Sequence, residues 1–381
     1  MKSINVLTPN YPAEDFIERG AFVESLVKQW INLGVEVKVV APESIWTVLK
    51  KKKNKEARKV KHIISGEIIK RPKYFTFSNK KILNFSTDFI SNTNFARACL
   101  NELKLRSSDI YYGKFLKNGG LAAVSAKNKF GGWAFADLGE SKLLDLMTMA
   151  EKESSKKIIQ NLDGIVCVSE RLKQEILQLD PKFSNIIVIP NDVDLDLFCP
   201  RDKQECRKKL NLDIDKFFVI FVGHFNERKG PKRLLKSLEP LGENVSGIFL
   251  GRGEQRPIGQ RVSFCGSVPN QELPIWLGAA DLMVLPTLAE GHCNAINEAI
   301  ACSLPVLTSS TDDMKLREDA HLLQLVDPLD IQGLSDAIRS LYEEPAKLEE
   351  MRAKLLSWRV GLQGQKRRGE LIIEWIKESL L

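Results

Sequence analysis

Two carboxylates bound the stretch Glu290-Gly291-His292-Cys293-Asn294-Ala295-Ile296-Asn297-Glu298. An apolar run, Leu282–Leu285, and then Pro286-Thr287 lead into it, and Asn297–Cys302 continues it with a helical pattern. At such a strand–loop–helix junction a carboxylate can accept hydrogen bonds from sugar hydroxyls, and a second can hold a ribose diol. The free N–H groups and the dipole at a helix start suit a phosphate or a hydroxyl. Gly291 lets backbone approach a ligand closely. A capping loop carrying two solvated acids would read the same way. Upstream, the apolar strand Phe217–Val222 runs into Gly223-His224-Phe225-Asn226-Glu227-Arg228-Lys229-Gly230 and then a helix from Pro231. Arg228 and Lys229 put positive charge where a leaving diphosphate gathers negative charge. Alone this loop is weak evidence, because strand-to-helix loops are often rich in Gly and Lys for turn reasons.

The elements that must carry these loops alternate strand and helix, the pattern of a parallel α/β architecture. Ile4–Leu7 reads as a strand and Ala21–Leu33, after Gly20, as an amphipathic helix closed by Gly34; Val35–Val40 is the next strand. This βαβ opening lacks a G-x-G-x-x-G fingerprint. Strands are also expected at Asp109–Tyr112, Gly164–Val168 and Ile186–Ile189, with a helix at Leu121–Lys129 after Gly119-Gly120. A second series follows Pro200: Phe217–Val222, Val245–Leu250 ending in Gly251-Arg252-Gly253, Val262–Phe264, Leu282–Leu285 and Pro305–Thr308. Glu370–Leu381 reads as a closing amphipathic helix.

The 381 residues suit two domains. Hydrophobic residues make up 43% and charged residues 28%, an ordinary globular balance. No apolar run reaches the roughly 20 residues needed to cross a bilayer, and the start of the chain reads as a buried strand rather than a signal peptide. Seven scattered cysteines have no zinc or redox spacing and fit a reducing cytoplasm. The net charge of +7 comes from one window: Lys50–Lys61 carries eight basic residues against Glu56, and the remainder is balanced. A nucleic-acid binder would show a broader basic face with interleaved aromatics. A compact patch suits an anionic membrane surface or lipid phosphate, or is a solvated segment without a partner.

Taken in order, these stretches resemble the retaining glycosyltransferases of family 4, which have the GT-B fold. The matching residues are Pro190-Asn191-Asp192-Val193-Asp194 with Phe198, Val222–Gly230, Phe264-Cys265-Gly266-Ser267-Val268, Ala280-Asp281, Leu285-Pro286-Thr287 and Glu290–Glu298. The resemblance implies two Rossmann-like domains facing a central cleft, 1–195 for the acceptor and 196–362 for the nucleotide-sugar. Residues 363–381 form a helix returning to the first domain. It also implies roles: Glu290 under the donor sugar, Glu298 on the ribose, Lys229 on the diphosphate with Arg228 as second cation. Gly223 and His224 belong to that clamp, and the backbone of Gly291, His292, Cys293 and Asn294 completes the cradle. Cys265–Val268 would line the base pocket, and Gly20 would approach the diphosphate from the other domain.

The sequence departs from the family in two places. His224 stands where an arginine is common. Of the four histidines, His62, His224, His292 and His321, none lies between 63 and 223, where the family usually has one near the reacting carbon. Glu140, in Ala136-Asp137-Leu138-Gly139-Glu140-Ser141, is the best occupant of that position, and Lys114 lies near the other usual histidine. Either can orient donor or acceptor, or be a surface residue. The expectation is therefore a metal-independent, hexosyltransferase-type retaining enzyme with a nucleotide-diphosphate sugar, such as a UDP-sugar, as donor. Its acceptor would be a glycan or lipid-linked glycan, in bacterial cell-surface polysaccharide biosynthesis. It needs no cofactor and no nucleic acid, and it works in the cytoplasm, with Lys50–Lys61 as an anchor on the inner membrane face. A catalytically degenerate GT-B subunit and a GT-B nucleotide-sugar epimerase are the rival expectations.

Overall fold

The computed structural model describes residues 3–13, 20–46, 48–49, 68–77, 81–82, 85–86, 88–103, 110–140, 143–144, 147–290, 292–362 and 364–381. Its contacts divide the chain into two units, Met1–Asn191 with Lys366–Leu381, and Asp192–Gln365. The division falls ahead of residue 195 because Val193 and Phe198 are buried in the second unit's core. Arg359 also ties the linker to that unit, donating to the carbonyls of Phe198 at 2.7 Å and Leu195 at 2.6 Å.

Unit 1 is built on β1 (Ser3–Leu7), α1 (Ala21–Asn32), β2 (Glu36–Val40), β3 (Ile68–Lys70) and α2 (Asp88–Leu103). There follow β4 (Ile110–Lys114), a π-helical turn (Phe115–Gly120), α3 (Leu121–Phe130), β5 (Trp133–Leu138) and α4 (Met149–Asn161). β6 (Gly164–Cys167), α5 (Glu170–Leu179) and β7 (Ile186–Val188) complete the alternation. The strands form one parallel sheet in the order β7-β6-β5-β4-β1-β2-β3. Period-2 alternation sends neighbouring residues of each strand into different cores. Ile110 and Tyr112, Phe135 and Val166 pack with Val23, Leu26, Val27 and Trp30 of α1. Tyr111, Ala134, Ala136, Ile165 and Cys167 pack with Phe95 and Cys99 of α2 and Ile159 of α4 on the other face.

Unit 2 repeats the plan. It contains α6 (Lys203–Leu210), β8 (Phe217–Val222), α7 (Pro231–Leu238), β9 (Val245–Leu250), β10 (Val262–Gly266) and α8 (Leu273–Ala279). β11 (Leu282–Leu285), α9 (Asn294–Ala301), β12 (Val306–Ser309), β13 (Gln324–Val326), α10 (Ile331–Glu343) and α11 (Pro345–Leu362) follow. Its parallel sheet runs β10-β9-β8-β11-β12-β13. The near-continuous apolar runs of β8, β9 and β11 are what a sheet covered on both faces requires.

The last helix, α12 (Arg368–Ser379), belongs to unit 1. Ile372, Ile373 and Ile376 join the core beneath α1, and Trp30 donates its Nε1–H to the Gly369 carbonyl at 3.0 Å. The basic segment Lys50–Lys61 and Gly291 lie outside the described residues. Among the described residues no helix is long and apolar enough to cross a membrane, and no group of three or more His, Cys, Asp or Glu is placed to hold a metal ion.

Candidate functional site

In each sheet the strand order reverses between the first strand and the fourth, at β1/β4 and at β8/β11. Open α/β sheets bind ligands beyond the carboxyl ends of the strands at such a reversal. In unit 2 the loop after β8 is Gly223–Gly230 and the loop after β11 runs from Pro286 to Cys293. The two sequence motifs thus flank the switch point.

The backbone ties these loops together. Leu288 N–H donates to the Arg228 carbonyl at 2.8 Å. Buried Arg233 bridges the Glu227 carbonyl at 2.7 Å, the Arg228 carbonyl at 3.2 Å and the Pro286 carbonyl at 3.0 Å. Gly230 caps α7 with φ 76°, and a Cβ there would lie 2.6 Å from the Pro286 oxygen. Only glycine reconciles that backbone with so close an approach.

Glu290 sits at the centre and is 4% exposed. Its Oε1 accepts from Lys229 Nζ at 2.7 Å, Arg228 Nη1 at 2.9 Å and the Thr287 hydroxyl at 2.7 Å. Burial opposes its charge, but Lys229 and Arg228 outweigh burial and hold the carboxyl below its ordinary range. Lys229 is shifted the other way: desolvation lowers it, and the Cys293 thiol and Glu290 together raise it above its ordinary value. Two cations on one carboxylate leave a surplus positive charge facing the start of α9. That is the electrostatic requirement of a diphosphate site.

Around this centre, Cys293 caps α9 and its Sγ lies 3.6 Å from Lys229 Nζ. Asn294 is the first residue of that helix. Asn297 donates from Nδ2 to His292 Nε2 at 2.8 Å and accepts from Arg317 Nη2 at 2.7 Å. Arg317 is held in turn by Asp319 at 2.7 Å. Glu298 is partly exposed as a side chain, yet burial of its carboxyl alone raises its pKa to about 7. His224 is exposed, whereas Phe225 beside it is buried. Cys265 and Val268 are half-buried against the unit's core, and burial raises the Cys265 thiol.

Unit 1 brings Gly20, Lys114 and Glu140 to the equivalent strand ends. Gly20 starts α1 with φ 77°, and a Cβ would lie 2.4 Å from the Asn10 carbonyl oxygen. Lys114 is not a surface residue: it is 1% exposed and pairs with Asp137 at 2.6 Å. Asp137, wholly buried, also receives Tyr112 Oη at 2.9 Å and a two-pronged Arg368 at 2.9 and 3.0 Å. Burial opposes its charge, but Arg368 and then Lys114 hold Asp137 well below the carboxylate range. Burial pulls Lys114 down to about 8, with Asp137 countering in part and Arg368 adding to the fall. Next to Lys114, Phe115 adopts φ 65° as the chain enters the π-helical turn. Such strain and such turns concentrate at functional sites.

Glu140 reaches that turn. Its Oε1 accepts the Leu116 N–H at 2.8 Å, and its Oε2 is buried without a hydrogen-bond partner among the described residues. Burial raises its pKa. The sequence assigns no role to Thr287 or Asp137, although they lie in the stretches Leu285-Pro286-Thr287 and Ala136–Ser141, and Arg317 and Arg368 come from segments that carry no motif.

Residues 202–355 match the family described as glycosyl transferases group 1. A Bacillus subtilis protein named as a teichuronic acid biosynthesis glycosyltransferase, TuaC, is 26% identical over 87% of this chain and 87% of its own. Among solved structures, sucrose-phosphate synthase from Thermosynechococcus elongatus superposes with a TM-score of 0.75 at 17% identity, covering 99% of each chain. Anabaena Alr3699/HepE, solved in complex with UDP and glucose, superposes with a TM-score of 0.72 at 17% identity, covering 100% of this chain and 99% of its own. These likenesses extend through both units, and the architecture they share is GT-B.

Proposed function

We propose, from the premise that this chain is a group 1 glycosyltransferase of GT-B fold, that it moves a sugar with retention of configuration from a nucleoside-diphosphate donor to a glycan or lipid-linked acceptor. The observation that carries the reading is Glu290, buried at the switch point of unit 2 and shared by Lys229, Arg228 and Thr287. When a donor binds, its diphosphate takes over the two cations, and Glu290 is released to accept hydrogen bonds from the sugar hydroxyls. Glu298, poised near neutrality, accepts the ribose diol. Departure of the diphosphate is assisted by Lys229, Arg228 and the N–H groups opening α9. The acceptor hydroxyl attacks from the side on which the diphosphate leaves and gives its proton to the departing phosphate oxygen, so no protein nucleophile is required.

Unit 1 receives the acceptor in this reading, with Glu140 oriented by Leu116 N–H and held beside Lys114. The glycosyltransferase of Bacillus subtilis named for teichuronic acid biosynthesis and the UDP-bound Anabaena neighbour favour a UDP-sugar and cell-surface polysaccharide synthesis. The basic run Lys50–Lys61 serves as an electrostatic anchor at an anionic membrane face. Protein cations supply the leaving-group stabilisation, so no metal is assigned to the step. The test is slow hydrolysis of UDP-, GDP-, ADP- and TDP-sugars by wild type and Glu290→Ala, with and without EDTA. One preferred nucleotide, hydrolysis lost in the variant and indifference to EDTA are expected; loss of activity on chelation would sink the metal-free mechanism. A membrane anchor predicts retention on anionic vesicles at low salt.

A further inference from the structure

We infer that unit 1 contains a binding site for the hydrocarbon chain of a lipid-phosphate acceptor, resting on the proposed lipid-linked reading. The site is a cavity of about 230 Å³ behind the π-helical turn, between the starts of α2, α3 and α4. Phe89, Leu121, Ala150 and Ile158 line it, with Lys117 and Glu151 among its polar neighbours.

Several of its polar groups are already engaged with one another. Lys117 pairs with Glu151 at 3.0 Å, and Glu151 also accepts from the Thr148 N–H at 2.8 Å and hydroxyl at 3.0 Å. Asn92 accepts from Asn118 at 2.7 Å. With Lys117, Glu151 and Thr148 turned to one another, the many hydroxyls of a sugar ring would be desolvated with little compensation. Hydrocarbon carries no such cost. A water molecule takes about 30 Å³ of liquid and a methylene group is of similar size, so the cavity is on the scale of a short alkyl segment, on the order of eight carbons.

An exposed apolar lip marks where the chain enters. Phe89 lines the cavity and is 54% exposed, and Ile90 beside it is 42% exposed. Phe75 and Phe77, 57% and 51% exposed, are tied to the same helix. Asn94 donates to the Phe75 carbonyl at 3.1 Å, and Phe77 N–H donates to Ser91 Oγ at 3.0 Å. An apolar lip of this kind marks an interaction surface. On the inner side, the turn that supplies Lys117 also supplies the Leu116 N–H that Glu140 accepts. A chain lodged here lies against the turn that Glu140 holds, and the basic run Lys50–Lys61 in the sequence of the same unit is the charge complement of a lipid phosphate.

The experiment measures binding of n-alkyl phosphates of four to twelve carbons to the full chain. Each methylene buried is worth about fourfold in affinity, so the series should climb and level off near eight carbons. Ala150→Trp at the mouth and Leu121→Phe in the wall should each weaken the eight-carbon ligand at least tenfold while UDP binding, a readout of unit 2, stays unchanged. A flat series, or one identical in both variants, overturns the site. If the variants keep vesicle retention and the alkyl series is flat, the lip docks a bilayer and takes no chain. Should wild type transfer sugar to a lipid-linked acceptor with the variants equal in KM, the cavity fails and the function stands. If the alkyl series holds but no lipid-linked acceptor is ever glycosylated, the lipid-acceptor assignment fails.

Discussion

Glu290 keeps its charge in a buried place because two cations and a hydroxyl converge on one of its oxygens. Removing it leaves Lys229 and Arg228 free to hold a diphosphate. Glu290→Ala is therefore expected to bind UDP within a fewfold of wild type and to lose about 10²–10³ in kcat for donor hydrolysis, the scale of a removed transition-state contact. Unchanged kcat in single-turnover assays would move the sugar contact elsewhere. Glu298 shows the opposite balance, burial without a compensating cation, with a pKa raised to about 7. Its neutral form is favoured in the folded chain. As pH rises from about 4 to 7 the unfolded carboxyl ionises first, so this residue lowers stability across that window and costs a constant amount above it. Glu298→Gln should raise Tm relative to wild type at pH 8 and make little difference at pH 4. If the carboxylate holds the ribose, wild type should also bind UDP more tightly at pH 8 than at pH 6, and the variant should lose that dependence.

Elements matter here chiefly at their ends. The two loops of unit 2 meet because Gly230 lets α7 start against the Pro286 carbonyl and Arg233 bolts both backbones together. Gly230→Ala forces a Cβ into a gap of 2.6 Å on a left-handed backbone. The strain should cost about 1–3 kcal/mol in urea denaturation, with a higher donor KM as Lys229 and Glu290 shift apart. In unit 1, β4 ends in buried Lys114 and β5 carries buried Asp137 in register beside it. Asp137→Asn would leave Lys114 and Arg368 sharing an uncharged partner, a loss on the order of 3–5 kcal/mol. Asp137 is held at low pKa, so its contribution is complete above about pH 4 and disappears as pH falls further. The variant should accordingly show less acid sensitivity than wild type in that range.

The molecule as a whole is two units built on one topological plan, with the final helix sewn into the first. Ile372, Ile373 and Ile376 are buried, each worth roughly 1.5–3 kcal/mol relative to exposure, and Arg368 reaches the Asp137 carboxylate. Deleting residues 366–381 should therefore melt unit 1 at a much lower temperature while unit 2 keeps its transition and its UDP affinity, seen as two separated peaks in calorimetry. A single shared transition would mean that the helix contributes little.

Periodicity and apolar runs were enough to place Phe217–Val222, Val245–Leu250 and Leu282–Leu285 at their observed bounds, because a strand buried on both faces leaves few alternatives. Strand β13 and the short β3 escaped because three residues carry no readable period. Loop chemistry likewise marked Gly223–Gly230 and Glu290–Glu298, since glycine, charge and strand ends are local properties. That both motifs flank one switch point depended on strand order, which pairing decides and composition does not. The same holds for Lys114, an open choice between surface and function in the chain and a buried partner of Asp137 in the fold. Its neighbour in that cluster, Arg368, lies 231 residues from Asp137, and only the return of the last helix onto the first sheet could bring such charges into one buried cluster.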